Sequence, residues 1–275
     1  MLTMKTRTLI LLAALFLLAL ALTTPATSRA GHDGKIQIVL LGDSMTEGSI
    51  PRLLAPKEPQ LEDVIRLLLA AESDLPPTHV TNLGLSGEFI RRLIDSGRYE
   101  KQASKLPGLD YIFIRYGQND MAKREDFEAN FPKDYHELLA KLRADHPQAM
   151  LIPMAVIPVS EKVNKLIHEI AVEEKLTLFD ICPRWTAERE RGRYALSIRR
   201  FPLAKIPEKL RAFAQPYVMP GRVPEVVVLD NRLDAHFGNL PGWFADAHAN
   251  LAGYHVIGDE TAKFLSPIIR GKSKR

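Results

Sequence analysis

The amino-acid sequence predicts an α/β protein with a doubly wound parallel sheet and helices on both faces. Continuous apolar runs, typical of strands buried on both faces, alternate with segments of helical periodicity. Glycine and polar residues follow several of these runs, as expected where parallel strands end in loops. The composition, with 46% hydrophobic and 25% charged residues among 275 and one cysteine, excludes disordered, collagen-like and disulfide-stapled classes.

The predicted elements follow one another in regular alternation. Five apolar runs are predicted as strands: residues 36–41, 79–83, 111–116, 150–157 and 176–181. The predicted helices are residues 61–71, 135–144, 161–175 and a closing helix over 251–265. Another β-like run lies at 226–229. About five strands therefore form one sheet.

The N-terminus has the pattern of a secretory signal peptide. Residues 8–22 are apolar apart from Thr8, Lys5 and Arg7 precede them, and the small residues Ser28 and Ala30 flank Arg29 at a cleavage-like site. We predict a signal peptide over residues 1–30, secreted or periplasmic localisation, and a single domain over 31–275. The apolar run is short for a membrane span, which favours a cleaved signal peptide over a membrane anchor. After its removal no stable membrane insertion is expected; a retained N-terminal anchor is the alternative.

The charge distribution argues against nucleic acid as a partner. Loss of residues 1–30 would lower the formal net charge from +4 to +1. Residues 184–225 break the alternation and form a predicted insertion, whose part 184–211 has a local charge of +6. It is either a solvated loop or a wall that favours anionic substrates. The arginines considered for that wall are Arg189, Arg191, Arg193, Arg199 and Arg200.

Four short motifs carry the candidate chemistry, and the first three come at or shortly after the ends of predicted strands. They are Gly42-Asp43-Ser44, Ser86-Gly87-Glu88, Gly117-Gln118-Asn119-Asp120, and the C-terminal His248-x-Asn-x-x-Gly-Tyr. A serine hydroxyl is a poor nucleophile at neutral pH and needs an imidazole to accept its proton. Ser44 and His248 are the candidates for that pair.

In order and spacing, these motifs resemble the blocks of the SGNH (GDSL-like) hydrolase family. The resemblance implies a flavodoxin-like three-layer α/β/α fold and esterase or lipase chemistry. It implies Ser44 as nucleophile and His248 as general base. It also implies an oxyanion hole made by the backbone N–H groups of Ser44 and Gly87 and the side-chain amide of Asn119. Helix capping for Ser44 and turn roles for Gly87 and Asn119 are the structural alternatives.

The third triad member departs from the family pattern. Most members have an aspartate three residues before the histidine, where this chain has Ala245; Asp246 lies two residues before His248. Asp246 is the predicted third member. A backbone carbonyl orienting the ring is the alternative, and Asp230 and Asp234 are the reserve carboxylates.

The resulting hypothesis is an exported serine esterase that removes acyl groups, acetyl foremost, from carbohydrate or small-molecule esters. The block Tyr116 to Asp120 is similar to that of carbohydrate acetylesterases in the family. A lysophospholipase- or thioesterase-type lipid hydrolase and a non-catalytic carbohydrate-binding protein are the alternatives. The sequence contains no HExxH, GxxxxGK or GxGxxG motif, so neither a metal nor a cofactor is predicted.

Overall fold

The computed structural model describes residues 34–191, 195–219 and 221–273. The chain from Gly34 onward forms one compact unit. The predicted signal peptide lies outside the described residues. Within these ranges, no helix combines the length and the apolar character needed to cross a membrane.

A four-stranded parallel sheet forms the centre of the fold, which confirms the predicted α/β class. Its strands are β1 (Ile36–Gly42), β2 (Thr78–Gly84), β3 (Tyr111–Arg115) and β4 (Met150–Pro153), in the order β2-β1-β3-β4. Gly42 at the end of β1 pairs with Gly84 and Arg115 at the ends of its two neighbours. Three strands therefore end level, and the loops that follow them meet at one edge of the sheet.

The predicted fifth strand is reduced to a single bridge, so the described sheet has four strands rather than about five. Phe179 pairs in parallel with Met154, and its backbone exchanges hydrogen bonds with Pro153 and Ala155 at 2.9 and 3.0 Å. The pairing stops there because the chain turns into the helix that begins at Cys182; Asp180 Oδ1 accepts the Cys182 N–H at 2.9 Å in this turn.

Helices cover both faces of the sheet. Successive side chains of a strand point to opposite faces, which explains why the strand runs are apolar throughout. Ile38 and Leu40 belong to one core cluster, whereas Val39 and Leu41 belong to the other. The α-helices are α1 (Ser44–Glu47), α2 (Ser49–Leu54), α3 (Leu61–Ala70), α4 (Ile90–Asp95), α5 (Gln118–Lys123), α6 (Phe127–Asp145), α7 (Glu161–Glu173), α8 (Cys182–Arg191), α9 (Arg211–Ala214), α10 (Asp234–Phe237) and α11 (Leu251–Ser273). A π-helix spans Tyr99–Ala103, and short 3-10 helices span Leu203–Lys205, Glu208–Leu210 and Gln215–Tyr217.

Part of the predicted insertion forms, together with the residues just after it, a small antiparallel sheet with a core of its own. Strands β5 (Arg199–Pro202), β6 (Val218–Met219) and β7 (Glu225–Val228) are arranged in the order β5-β7-β6. The β-like run predicted at 226–229 pairs here. The core of this small sheet contains Phe201, Val226, Phe237 and Trp243. The small sheet is tied to the C-terminal motif because Ser197 pairs with Ala249 and the Ile198 N–H donates to His248 O at 2.9 Å.

Candidate active site

Ser44 begins helix α1, directly after the turn that ends β1. Asp43 caps this helix, since its Oδ1 accepts the Met45 N–H at 3.0 Å. The capping role considered for Ser44 therefore belongs to Asp43. Gly84 allows the close approach of β2, because a Cβ there would lie 2.3 Å from the backbone nitrogen of Glu47. The glycines at the strand ends thus let the serine-bearing turn pack directly against the sheet.

Ser44, His248 and Asp246 form a continuous chain of hydrogen bonds. Ser44 Oγ lies 2.8 Å from His248 Nε2, and His248 Nδ1 lies 2.7 Å from Asp246 Oδ1. The same carboxylate oxygen accepts the His248 backbone N–H at 2.9 Å. The aspartate two residues before the histidine therefore reaches the imidazole in a tight local turn.

The Asp246 carboxylate is charged in the folded protein. Burial of this group, 13% exposed, would raise its pKa, but hydrogen bonds from the His248 side chain and backbone outweigh burial and lower the pKa below its ordinary value. A charged carboxylate only accepts hydrogen bonds, so it favours the tautomer with a proton on His248 Nδ1. Nε2 is then free to accept the Ser44 proton.

The two reserve aspartates have other partners. Asp234 accepts two bonds from Arg199, at 2.6 and 2.8 Å, and one from Trp243 Nε1 at 2.8 Å. Asp230 pairs with Arg232. Within the described ranges, neither carboxylate is bonded to His248.

A cavity of about 390 Å³ brings together most of the predicted site residues. Its wall includes Ser44, Asn119, Asp246 and His248. The other lining residues are Asp43, Met45, Gln118, Ile157, Pro158, Ala245 and Ala247. The cavity is thus large enough for a small acyl group with part of its alcohol.

Gly87 lies outside this wall, in the turn after β2, where its φ is +74°. Lys123 of α5 donates to Gly87 O at 2.6 Å and so ties this turn to the helix that carries Asn119. In the described part of the chain, the N–H groups of Ser44 and Gly87 and the side-chain amide of Asn119 are bonded to no acceptor. All three remain available as donors, and their role as an oxyanion hole stays a prediction.

The sequence interpretation missed Arg115, the last residue of β3. This side chain is 4% exposed, and its Nη1 lies 2.7 Å from Asp43 Oδ1. Its Nη2 donates to Ile157 O in the cavity wall. The sequence does contain a signal for this residue: Arg115 is the one charged residue in the run 111–116. Strands buried on both faces rarely contain a charge, so a buried partner was to be expected.

Asp120 is a second buried charge that the sequence interpretation left without a role. It is fully buried, its Oδ1 accepts the Ile90 N–H at 2.9 Å, and its Oδ2 has no partner among the described residues. Burial raises the pKa of Asp120 to about 7. Its contact with Ile90 connects α5, which carries Asn119, to the start of α4.

The predicted basic wall needs a correction at Arg199. This arginine is 1% exposed, bonds both oxygens of Asp234 and lies 5.0 Å from the ring centre of Phe244, so it stabilises the small sheet and faces no substrate. Its neighbour Arg200 is 46% exposed and pairs with Glu225. Arg193 and the side chain of Arg191 lie outside the described residues. Arg189 belongs to α8.

The parallel sheet and the Ser–His–Asp arrangement at its carboxyl edge define an α/β protein with a serine-hydrolase type of site. The chain matches the GDSL-like lipase/acylhydrolase family over residues 40–256, and it belongs to that family. The protein is therefore a hydrolase of ester bonds. No curated protein sequence matches the chain.

Solved structures show the same fold at low sequence identity. The acetylxylan esterase Axe2 from Geobacillus stearothermophilus superposes with a TM-score of 0.51 and 14% identity, over 85% of this chain and 95% of that chain. A putative GDSL-like lipase from Parabacteroides merdae has a TM-score of 0.50 and 12% identity, over 84% of this chain and 95% of that chain.

Proposed function

We propose that this protein is an exported serine esterase that removes acyl groups, acetyl foremost, from carbohydrate or related small esters. The observation that carries the catalytic part is the unbroken chain from Ser44 Oγ through His248 to Asp246 at the edge of an open cavity. The acetyl-carbohydrate part rests on the resemblance of the block Tyr116 to Asp120 and on the fold shared with an acetylxylan esterase.

In this mechanism, Ser44 Oγ attacks the ester carbonyl while His248 Nε2 accepts its proton. The negative charge that develops on the carbonyl oxygen is stabilised by the Ser44 N–H, the Asn119 amide and the Gly87 N–H. The C–O bond to the alcohol breaks, and His248 returns the proton to the departing alcohol. Water then attacks the acyl-enzyme with His248 as base, which releases the acid and restores Ser44.

Acetate release from acetylated xylo-oligosaccharides tests the proposal. Ser44→Ala should lower kcat by at least about a thousandfold. Ser49→Ala is the matched control, because Ser49 is an exposed serine whose nearest side-chain partner is Ser86 at 3.4 Å. Equal rates for the wild type and Ser44→Ala would exclude the esterase mechanism and favour the non-catalytic alternative.

Acyl-chain length separates the acetyl esterase from the lipid hydrolase. Nitrophenyl esters of increasing chain length should show the highest kcat/KM for acetate, because the Ser44 cavity has about 390 Å³ to hold both acyl group and alcohol. A maximum at octanoate or longer would favour the lipid hydrolase.

Export is tested by N-terminal sequencing of the protein from the secreted or periplasmic fraction, where the chain should begin after Ala30.

A further inference from the structure

We propose that Arg200 and Arg222 form a subsite for an anionic group on the alcohol portion of the substrate. This inference rests on the proposed esterase function and narrows its substrate class to esters of acidic alcohols, such as acetylated uronic acids.

The two arginines line one cavity of about 440 Å³ beside the small sheet, together with Ile50 of α2 and Glu225 of β7. Arg200 is 46% exposed and bonds Glu225 through its Nε at 2.7 Å, which leaves its two Nη groups without a described acceptor. Arg222 is exposed and has no hydrogen bond or ion pair with other described residues. Two guanidinium groups face one carboxylate, so the cavity is positively charged.

The backbone brings this cavity close to the triad. Ile198 donates to His248 O at 2.9 Å, and Arg200 follows two residues later along the same extended segment, about 7 Å further on. Ile50, which lines the same cavity, belongs to α2, and this helix follows the serine-bearing α1 directly. An ester bound at Ser44 can therefore extend its alcohol towards the arginines.

The surroundings also provide room for a large alcohol. Another cavity, of about 630 Å³, shares the lining residues Met219 and Val227 with the cavity of the two arginines, so these two cavities adjoin along the small sheet. The planar guanidinium fork binds carboxylate and sulfate oxygens in pairs, which a neutral hydroxyl does not reproduce. The subsite should therefore distinguish an acidic sugar from a neutral one of the same shape.

The test compares kcat/KM for acetylated methyl glucuronoside as its free carboxylate and as its primary amide. The wild type should prefer the carboxylate, and the carboxylate-to-amide ratio should fall about tenfold in Arg222→Gln and further in the Arg200→Gln, Arg222→Gln double variant. Both esters use the same triad, so any effect of a variant on the triad itself cancels in the ratio. An acetylated sugar sulfate, in place of the carboxylate, shows which anion is preferred.

Lys209→Gln is the control, since it removes an exposed positive charge from the same insertion without touching the cavity wall; its ratio should equal that of the wild type. Added salt should weaken the wild-type preference by screening the charges. Equal kcat/KM for the two esters in the wild type, or an unchanged ratio in the double variant, would overturn the subsite while leaving the esterase intact. If neither ester is hydrolysed, the proposed activity on acetylated carbohydrates is overturned, and the subsite with it.

Discussion

Arg115 Nη1 lies 2.7 Å from Asp43 Oδ1, beneath the serine-bearing turn, and both side chains are almost completely buried. The same Asp43 oxygen caps α1 through the Met45 N–H. The other arm of Arg115 donates to Ile157 O in the cavity wall. One guanidinium therefore connects the nucleophile turn on one strand end to the opposite wall of the active-site cavity.

Replacing Arg115 by methionine should destabilise the fold and impair catalysis together. The substitution leaves the Asp43 carboxylate buried without a counter-charge, which costs about 3–5 kcal/mol of unfolding free energy. Chemical denaturation measures this loss, and kcat should also fall because the turn carrying Ser44 loses its anchor. Arg66→Gln is the control: its ion pair with Asp63 is exposed, so the change should stay below about 1 kcal/mol. Similar losses in both variants would contradict the anchoring role.

Replacing Asp246 by asparagine tests the third member of the triad. An amide can donate to His248 Nδ1 and so favour the tautomer whose Nε2 carries a proton and no longer accepts one from Ser44. We expect kcat to fall by roughly a thousandfold or more with little change in KM. The reserve carboxylate provides the control, because Asp230→Asn affects a side chain paired with Arg232 and should retain activity. If Asp246→Asn retained wild-type kcat, a backbone carbonyl would be the better candidate for orienting the ring.

Replacing Asn119 by alanine tests the oxyanion hole. Its side-chain amide lines the Ser44 cavity and has no acceptor among the described residues, so it can donate to the negatively charged oxygen of the transition state. Losing one such donor should lower kcat by about a hundredfold to a thousandfold and leave KM nearly constant. Gln118→Ala is the matched control, since Gln118 lines the same cavity but donates to Pro158 O at 2.6 Å. The assignment fails if the two variants lose the same amount of kcat.

The central sheet was predictable, because buried parallel strands have uniformly apolar sequences. The pairing of Ser44 with His248 was expected from the need of a serine nucleophile for a base and from the resemblance of the four motifs to the SGNH hydrolase family. The directions of the side chains in the insertion could not be predicted from the sequence. Arg199 and Arg200 are identical residues at adjacent positions of β5, and alternation alone places one in the core and the other towards solvent. Which of the two is buried depends on the register with β7 and on Asp234, neither of which local sequence reveals.

The fifth strand was overpredicted for a related reason. An apolar run indicates burial, but it does not specify how many backbone hydrogen bonds the segment makes. Phe179 is buried and bridged to Met154, while the side chain of Asp180 already bonds the N–H of Cys182, the first residue of the next helix. The role of Arg115 could not be predicted either, because its two partners, Asp43 and Ile157, come from other segments of the chain.

The buried carboxyl of Asp120 should make stability fall as pH rises. Burial raises the pKa of this group to about 7, whereas in the unfolded chain it is near 3.9. Between these values the folded protein holds a proton that the unfolded chain has released, so its contribution to stability is full below about pH 4 and is lost as pH rises through about 7.

Replacing Asp120 by asparagine removes this proton while keeping an oxygen that can accept the Ile90 N–H. Relative to wild type, Asp120→Asn should therefore gain unfolding free energy as pH rises from 4 to 7, by up to about 1.4 kcal/mol per pH unit. Urea denaturation at several pH values measures the difference. Glu125→Gln, which alters an exposed carboxylate nearby, should run parallel to wild type over the same range. Parallel curves for Asp120→Asn and wild type would mean that this carboxyl has the same pKa in the folded and unfolded states, and that burial does not control its protonation.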